Sequence, residues 1–362
     1  MSKRGDISAA FVFVTVFVIL NADKIIYLPM QIAIFGLGKM GSQIARRLQK
    51  HGFEVLAWNR SAEPRDEVAK SGVKVFADVG ELIVSLDQQL SVSPEALSPA
   101  RQAGGTLSPG GESNNVAFGA IPRIFWLMLP HTIVDEFLQS QLGQHLKSGD
   151  IVVDGGNSFY KDSIRRAANL QKKGVVFYDC GTSGGVWGFD NGFALMVGGP
   201  KEQWPIVEPI FKTLSAGENY GLLGKNGAGH FVKMVHNGME YGMMEAIAEG
   251  YGVLKASDFD LDLTQVTKIY QQGSVVRSWL IDLAANIFVH EDVDATSGVI
   301  AATGEGEWTV NTGKELGVDV RVIEDSLKVR QESVDPKNAQ KYSNKIVALL
   351  RKQFGGHGVM KK

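Results

Sequence analysis

The sequence predicts a doubly wound α/β domain followed by an all-α domain, and three observations predict it. Short apolar runs of strand length alternate with amphipathic helical stretches from residue 30 to residue 225, and a glycine-rich turn joins the first strand to the first helix. From Asn226 onward only helical periodicity remains. At 362 residues the chain has the length of two domains, and 44% hydrophobic with 21% charged residues is a globular composition with ample core. A formal net charge of −2 gives no electrostatic basis for binding nucleic acid or an anionic membrane, so the expected partner is small. The single cysteine, Cys180, excludes an internal disulfide framework and fits a reducing compartment.

The N-terminus reads differently from the rest. Lys3 and Arg4 precede an apolar run, Ala9 to Leu20, of signal-peptide length and short of the roughly 20 residues of a membrane span. No small-residue cleavage site follows in 21–24, and Met30 stands directly before a strand. Residues 1–29 are therefore expected to be an upstream extension.

Gln31–Phe35 is a short buried strand, followed by Gly36-Leu37-Gly38-Lys39-Met40-Gly41 and a helical pattern through Ile44, Ala45 and Leu48. In that setting the first glycine makes the tight turn, the second admits a pyrophosphate, and the third lets helix pack on strand. This is the Rossmann-type dinucleotide fingerprint. The next strand, Glu54–Trp58, ends in Asn59-Arg60-Ser61, where an NAD site places an acid against the ribose 2′-hydroxyl. An arginine there can meet a 2′-phosphate, which favours NADP over NAD; a solvated arginine at a strand end is the plain alternative.

Val73–Phe76 reads as a third strand and Asp78–Leu86 as a helix. Residues 88–120, rich in Ser-Pro and Gly-Gly, have no hydrophobic periodicity and read as a disordered insertion. Order resumes with Arg123–Leu129, whose last residue stands at the carboxyl edge where ligands of such sheets bind. A helix from Thr132 to Leu146 leads to the strand Ile151–Asp154 and Gly155-Gly156-Asn157-Ser158, where Asn157 offers a donor and an acceptor to coenzyme and substrate, or simply caps a helix. After a further helix and the strand Val175–Tyr178, Gly181-Thr182-Ser183-Gly184-Gly185 has the glycines of an anion-binding nest. The strand Phe193–Val197 and a helix from Lys201 to Leu214 complete the alternation.

The second domain opens on a long helix near Gly227. Lys233, His236, Asn237 and Glu240 stand at i, i+3, i+4 and i+7 and share one stripe, while Phe231, Met234, Val235, Met239 and Met243 leave little hydrophilic surround, so the helix is expected to be buried nearly all round. Uncompensated polar burial costs about 1–3 kcal/mol per group. Any one of these residues alone is most simply a satisfied structural group. Four together put an amine and a carboxylate within reach of one small molecule.

Asp154-Gly-Gly-Asn-Ser158, Ser183-Gly-Gly185 and the run Lys233-Met-Val-His-Asn-Gly-Met-Glu-Tyr241, taken together, resemble the decarboxylating 6-phosphogluconate dehydrogenases, over residues 30–87 and 121–362. Relatives sharing only the β-hydroxyacid dehydrogenase plan typically lack the last run. The resemblance implies oxidative decarboxylation of 6-phosphogluconate to ribulose 5-phosphate with NADP, or NAD, in the pentose phosphate pathway, with no metal and in the cytoplasm. It implies that Lys233 takes the C3 hydroxyl proton and that Glu240 protonates C1 of the enediol. Ser183, Gly184 and Gly185 match the carboxylate-binding loop. Asn157, His236, Asn237 and Tyr241 match contacts to the sugar acid or its phosphate, and Arg277 matches a phosphate-binding arginine.

About 135 residues follow Asn226, which suits one copy of the helical domain and hence the short form of the family. Gly304-Glu-Gly-Glu-Trp-Thr309 resembles a family signature but puts Glu307 where a basic residue is common. Arg351 and His357 match a tail that enters a neighbouring subunit's site, which implies a homodimer or homotetramer with shared sites. The expected organisation is thus an extension (1–29), a coenzyme domain (30–225), an all-α substrate and dimerisation domain (226–345) and a tail (346–362). Two other readings stay open: a non-decarboxylating β-hydroxyacid dehydrogenase acting on a short acid, and an inactive coenzyme-binding regulatory protein.

Overall fold

The computed structural model describes residues 17–21, 24–28, 30–90, 122–301 and 304–359. Strand β1 (Phe17–Asn21) pairs antiparallel with β2 (Lys24–Leu28); the rest of the 1–29 extension and residues 91–120 of the expected insertion lie outside the described residues. β3 (Gln31–Phe35), β4 (Glu54–Trp58), β5 (Lys74–Phe76), β6 (Ile124–Leu127), β7 (Ile151–Asp154), β8 (Val176–Ser183), β9 (Phe193–Gly198) and β10 (Ser215–Gly224) form one sheet, ordered β10-β9-β8-β7-β6-β3-β4-β5. β3 lies parallel between β4 and β6, with Ala33 opposite Leu56 on one side and Phe125 on the other. Strand order therefore reverses at β3, the position where such sheets open a crevice for a ligand.

Two features depart from simple alternation. β8 and β9 are antiparallel, Asp179 opposite Gly198 and Ser183 opposite Ala194, because only the short turn Gly185–Trp187 and the single helical turn Gly188–Asn191 separate them. β10 was not expected: Ser-Ala-Gly-Glu-Asn-Tyr-Gly has neither an apolar run nor alternation, and it is the edge position beside β9 that makes it a strand.

The helices between the strands are α1 (Lys39–Lys50), α2 (Ala62–Ala69), α3 (Val79–Leu90), α4 (Val134–Glu136), α5 (Tyr160–Gln171), α6 (Gly188–Asn191) and α7 (Trp204–Leu214). α3 runs into the first residues of the expected insertion. The helix expected over 132–146 is shorter, since α4 passes into a π turn, Phe137–Gln141, and then into turns.

The chain divides into two compact units, Met1–Gly156 with Arg166–Tyr178 and Pro200–Leu214, and Asn157–Arg165 with Asp179–Gly199 and Ser215–Lys362. The core of the first is Phe35, Leu56, Leu82, Phe125, Leu127, Val152 and Phe177, all buried. Each such side chain contributes about 1.5–3 kcal/mol by leaving water. At the end of β7 the buried Asp154 accepts from Arg166 at 3.1 Å and from the Gly156 amide at 3.2 Å, which fixes the backbone leaving the strand.

The second unit is built on α8 (Ala228–Ala256), with α9 (Leu263–Gln271), α10 (Trp279–His290), α11 (Glu305–Glu315), α12 (Arg321–Glu332) and α13 (Tyr342–Gly355). Met244, Ala248, Tyr251, Leu283, Ile287 and Ile346 belong to its core. Residues 346–350, expected to begin a tail, are core positions of α13: all of them are buried. The expectation that α8 is buried nearly all round is also corrected, since Met239 and Met243 are 59% and 45% exposed.

Candidate active site

In the first unit, Gly36 follows β3 with φ +101°, and a Cβ there would meet Met128 O at 2.4 Å. A Cβ on Gly41 would meet Gly36 O at 2.0 Å, so α1 lies directly on the turn. Gly38, by contrast, has nothing within 4 Å of its Cβ position and stands open at the start of α1, whose N-terminus has no side-chain cap. A cradle closed behind by two glycines and open in front at a third fits a pyrophosphate on the helix N-terminus. Asn59 at the end of β4 accepts from the Leu37 amide at 3.0 Å and donates to Ser61 O at 3.1 Å, so it braces the glycine turn. Arg60 and Ser61 are exposed beside it. Leu129 is buried against the turn, its Cδ2 3.1 Å from the Gly36 Cβ position.

In the second unit α8 starts where expected, but its cap comes from a residue the sequence did not single out. Buried Asp179 on β8 accepts from the Gly227 amide at 2.6 Å and the His230 amide at 2.9 Å. A carboxylate at a helix N-terminus satisfies orphan amides and complements the helix dipole. Two residues on, Gly181 passes Lys233 closely: a Cβ would come 2.2 Å from Lys233 Cβ.

The polar stripe is present and half-buried. Lys233 Nζ lies 3.4 Å from His236 Nδ1, which is 3.1 Å from Asn237 Oδ1 and 3.8 Å from Glu240 Oε2. His236 thus stands between amine and carboxyl. Burial lowers the proton affinity of Lys233, against the opposing pull of Glu240 and Glu305. Burial raises that of Glu240, against Lys233, Arg330 and Arg351, with Glu305 adding to the rise. His236 is lowered by burial and by the Lys233 charge. Lys233 and Glu240 are therefore both pushed toward their neutral forms, the pattern that lets a base and an acid coexist at one pH.

Around the stripe the structure assembles Glu305, Arg330 and Glu245, which the sequence did not flag, with Tyr241 and Arg351, which it did. Glu305, in the first turn of α11, is 5% exposed and accepts from the Asn157 amide group. Arg330 of α12 is 1% exposed, and its Nε and Nη2 have no hydrogen-bond partner among the described residues. Its guanidinium stacks on the Tyr241 ring, whose buried hydroxyl is likewise without a partner among them. Arg351 is buried near the end of α13, within the field of Tyr241, Glu305 and Glu240 of its own chain. His357 Nδ1 lies 2.9 Å from Arg351 O. Glu245, five residues beyond Glu240 on α8, is also buried, and its carboxyl oxygens have no partner among the described residues.

Ser183 is the last residue of β8, so the expected glycine loop is shorter than its sequence. Gly184 and Gly185 form it, with φ +122° and +55°, and a Cβ on Gly185 would meet Phe354 O at 1.9 Å. Arg277 does not lie on a helix. It is exposed in the turn before Ser278 caps α10, and its side chain makes no hydrogen bond or ion pair among the described residues. Glu307 is exposed, on the side of α11 away from buried Glu305 and Gly306.

A dinucleotide cradle in one unit, and in the other a helix that carries a buried amine beside a buried carboxyl, define a coenzyme-linked dehydrogenase. The pattern of the NAD binding domain of 6-phosphogluconate dehydrogenase matches residues 31–235, and that of the C-terminal domain of the same enzyme matches residues 229–357. The NAD(+)-dependent, decarboxylating 6-phosphogluconate dehydrogenase of Haloferax volcanii is 35% identical, over 92% of this chain and 99% of that one. The human decarboxylating 6-phosphogluconate dehydrogenase is 33% identical over 90% of this chain, which spans 64% of the human protein's length. The solved Plasmodium falciparum 6-phosphogluconate dehydrogenase, studied with NADP+ and with 6-phosphogluconate, is 29% identical with a TM-score of 0.69, covering 85% of this chain and 62% of that one. The chain belongs to the 6-phosphogluconate dehydrogenase family.

Proposed function

We propose that this chain oxidises and decarboxylates 6-phosphogluconate to ribulose 5-phosphate and carbon dioxide, using NADP in preference to NAD. The observation that carries the reading is the pair Lys233 and Glu240, joined through His236 on one half-buried stripe and both driven toward their neutral forms. Neutral Lys233 takes the proton of the C3 hydroxyl. The bound coenzyme supplies the acceptor for the hydride that leaves C3. In the resulting β-keto acid the bond from C2 to the carboxyl carbon breaks, and its electrons move onto the ketone. Lys233, now protonated, donates to that oxygen, and an enediol forms as carbon dioxide departs. Glu240 then delivers its proton to the carbon that lost the carboxyl group, C1 of the product.

The substrate phosphate is assigned to Arg330 and Arg351 rather than to Arg277. A buried guanidinium with two unpaired nitrogens beside an unpaired tyrosine hydroxyl is an incomplete hydrogen-bond set that a phosphate completes. Arg277 has neither the burial nor the companions. Ser183, Gly184 and Gly185 receive the substrate carboxylate, and Asn157, His236 and Asn237 its hydroxyls.

Association of copies, as a homodimer or homotetramer, and residence in the cytoplasm with its coenzyme pool complete the reading. Exposed Met239, Met243, Phe259, Ile269 and Val275 on the second unit support association. Arg351 and His357 are assigned to sites shared between copies. That assignment rests on the tail match alone, since within its own chain Arg351 is buried in the field of Glu240 and Glu305.

The test is coenzyme reduction with 6-phosphogluconate, with carbon dioxide followed in parallel. Reduction without gas release would favour a non-decarboxylating dehydrogenase, and coenzyme binding with neither signal an inactive module. For shared sites, Lys233→Met and Arg351→Ala chains are co-expressed. Activity recovered in the mixture supports sharing; its absence in proven mixed oligomers removes it.

A further inference from the structure

Glu305 is a carboxylate that the steps above leave unused, yet its position is closely determined. Gly304, at φ +98°, turns the chain into α11. The Thr309 hydroxyl lies 2.8 Å from both Met234 O and Glu305 O and so ties α11 to α8 one residue beyond Lys233. Glycines permit that closeness: a Cβ on Gly238 would come 2.6 Å from Thr309, and one on Gly306 2.5 Å from the Tyr241 ring. The Glu305 side chain is thereby buried where α11 packs on α8, accepts from Asn157, and lies close enough for its charge to act on Lys233 and Glu240.

We propose that Glu305 is a positioning residue of the reaction, whose carboxylate, held by the Asn157 amide, sets the charge against which Lys233 and Glu240 take up and release their protons. The proposal rests on the roles given to those two residues above. The mechanism asks Lys233 to be neutral at the first step and to hold a proton at the next. Burial alone favours only the neutral amine. A fixed negative charge nearby makes the second state accessible, and the same charge opposes early ionisation of Glu240, which must keep its proton to the end. The other groups facing this cluster are His236 and Tyr241 on α8, Arg330 on α12, which acts on Glu240, and Arg351 on α13; Glu307 on α11 is exposed. Neither arginine accounts for the effect, because a positive charge acts on Lys233 and Glu240 in the opposite direction.

The test is Glu305→Gln, which keeps an acceptor for Asn157 and removes the charge. Both limbs of the pH profile of kcat with 6-phosphogluconate are expected to move to lower pH, by on the order of one unit. In a second readout, without coenzyme or turnover, Lys233 is labelled with acetic anhydride across pH and quantified by mass spectrometry. Its labelling midpoint is expected to fall in the same direction, and Glu305→Asp is expected to restore both. Glu305→Thr, also uncharged, replaces Glu305→Gln if thermal melting shows that variant unfolded. Limbs and labelling midpoint that stay in place, or limbs that move in opposite directions, would overturn the proposal. A wild-type chain inactive on 6-phosphogluconate sinks the reading of the reaction instead, and the labelling result still decides whether Glu305 acts on Lys233.

Discussion

The Arg330 guanidinium lies 3.2 Å from the centroid of the Tyr241 ring, inside the second unit. Stacking of this kind contributes about 2 kcal/mol when desolvated. It leaves the edge of the guanidinium unpaired, and burial depresses the group's proton affinity. Arg330→Met keeps much of the stem and removes the charge. It is expected to raise KM for 6-phosphogluconate by about 100-fold, the loss of a charge-assisted pair of about 2–3 kcal/mol, while coenzyme affinity is retained. Arg277→Ala is expected to leave KM within about twofold, as for a surface substitution. Steady-state kinetics on the two variants decides the assignment, and the reverse ranking returns the phosphate to Arg277.

Lys233→Met removes the amine proposed as the base. Turnover is expected to fall by about 10²–10⁴-fold, the range of general acid–base catalysis, with coenzyme binding intact by fluorescence titration. Glu240→Gln is expected to slow product protonation by a similar factor of about 10²–10⁴, with hydride transfer surviving as a single-turnover burst of reduced coenzyme. A Glu240→Gln chain lacking that burst places Glu240 before the hydride step.

Glu245 makes a pH-dependent contribution to stability. Burial pushes its carboxyl up from 4.5 to about 7, against the field of Arg330. The folded state therefore holds this proton more tightly than the unfolded chain does. Its contribution is complete below about 4.5 and is lost as pH rises through about 7, by up to about 3 kcal/mol. Glu245→Gln is expected to abolish that loss, so the variant gains on the wild type in urea melts at pH 8 relative to pH 5. Parallel pH dependence in the two chains would show that Glu245 is not the titrating group.

Arg60 is exposed beside the glycine turn, and Asn59 next to it braces that turn. Arg60→Ala is expected to raise KM for NADP by about 10-fold, a loss of about 1.4 kcal/mol, and to leave KM for NAD little changed. An equal loss for both coenzymes would place Arg60 in the support of the turn instead.

The parts of this protein that one local stretch encodes are legible in the order of its residues. Gly36 and Gly41 announce a turn because the requirement is for positive φ and for close approach, properties of the residue itself. The stripe of Lys233, His236, Asn237 and Glu240 is visible because helical periodicity alone places those residues on one face. Parts held by long-range contact are not legible in that way. β10 has no strand pattern of its own, and Asp179 caps a helix 48 residues away.

What the sequence by itself determined is the order of a coenzyme domain and a helical domain and the stripe that sets Lys233, His236, Asn237 and Glu240 on one helix face, since turn chemistry and periodicity are local. The tertiary structure alone decided which charges surround that stripe. Glu305, Arg330 and Arg351 come from three different helices, and only packing against α8 brings them into its field. It was also packing that left Arg277 and Glu307, both prominent in the sequence, exposed. The physical reason is that the electrostatic effect of a charge depends on distance and burial, and neither is set by its place in the chain.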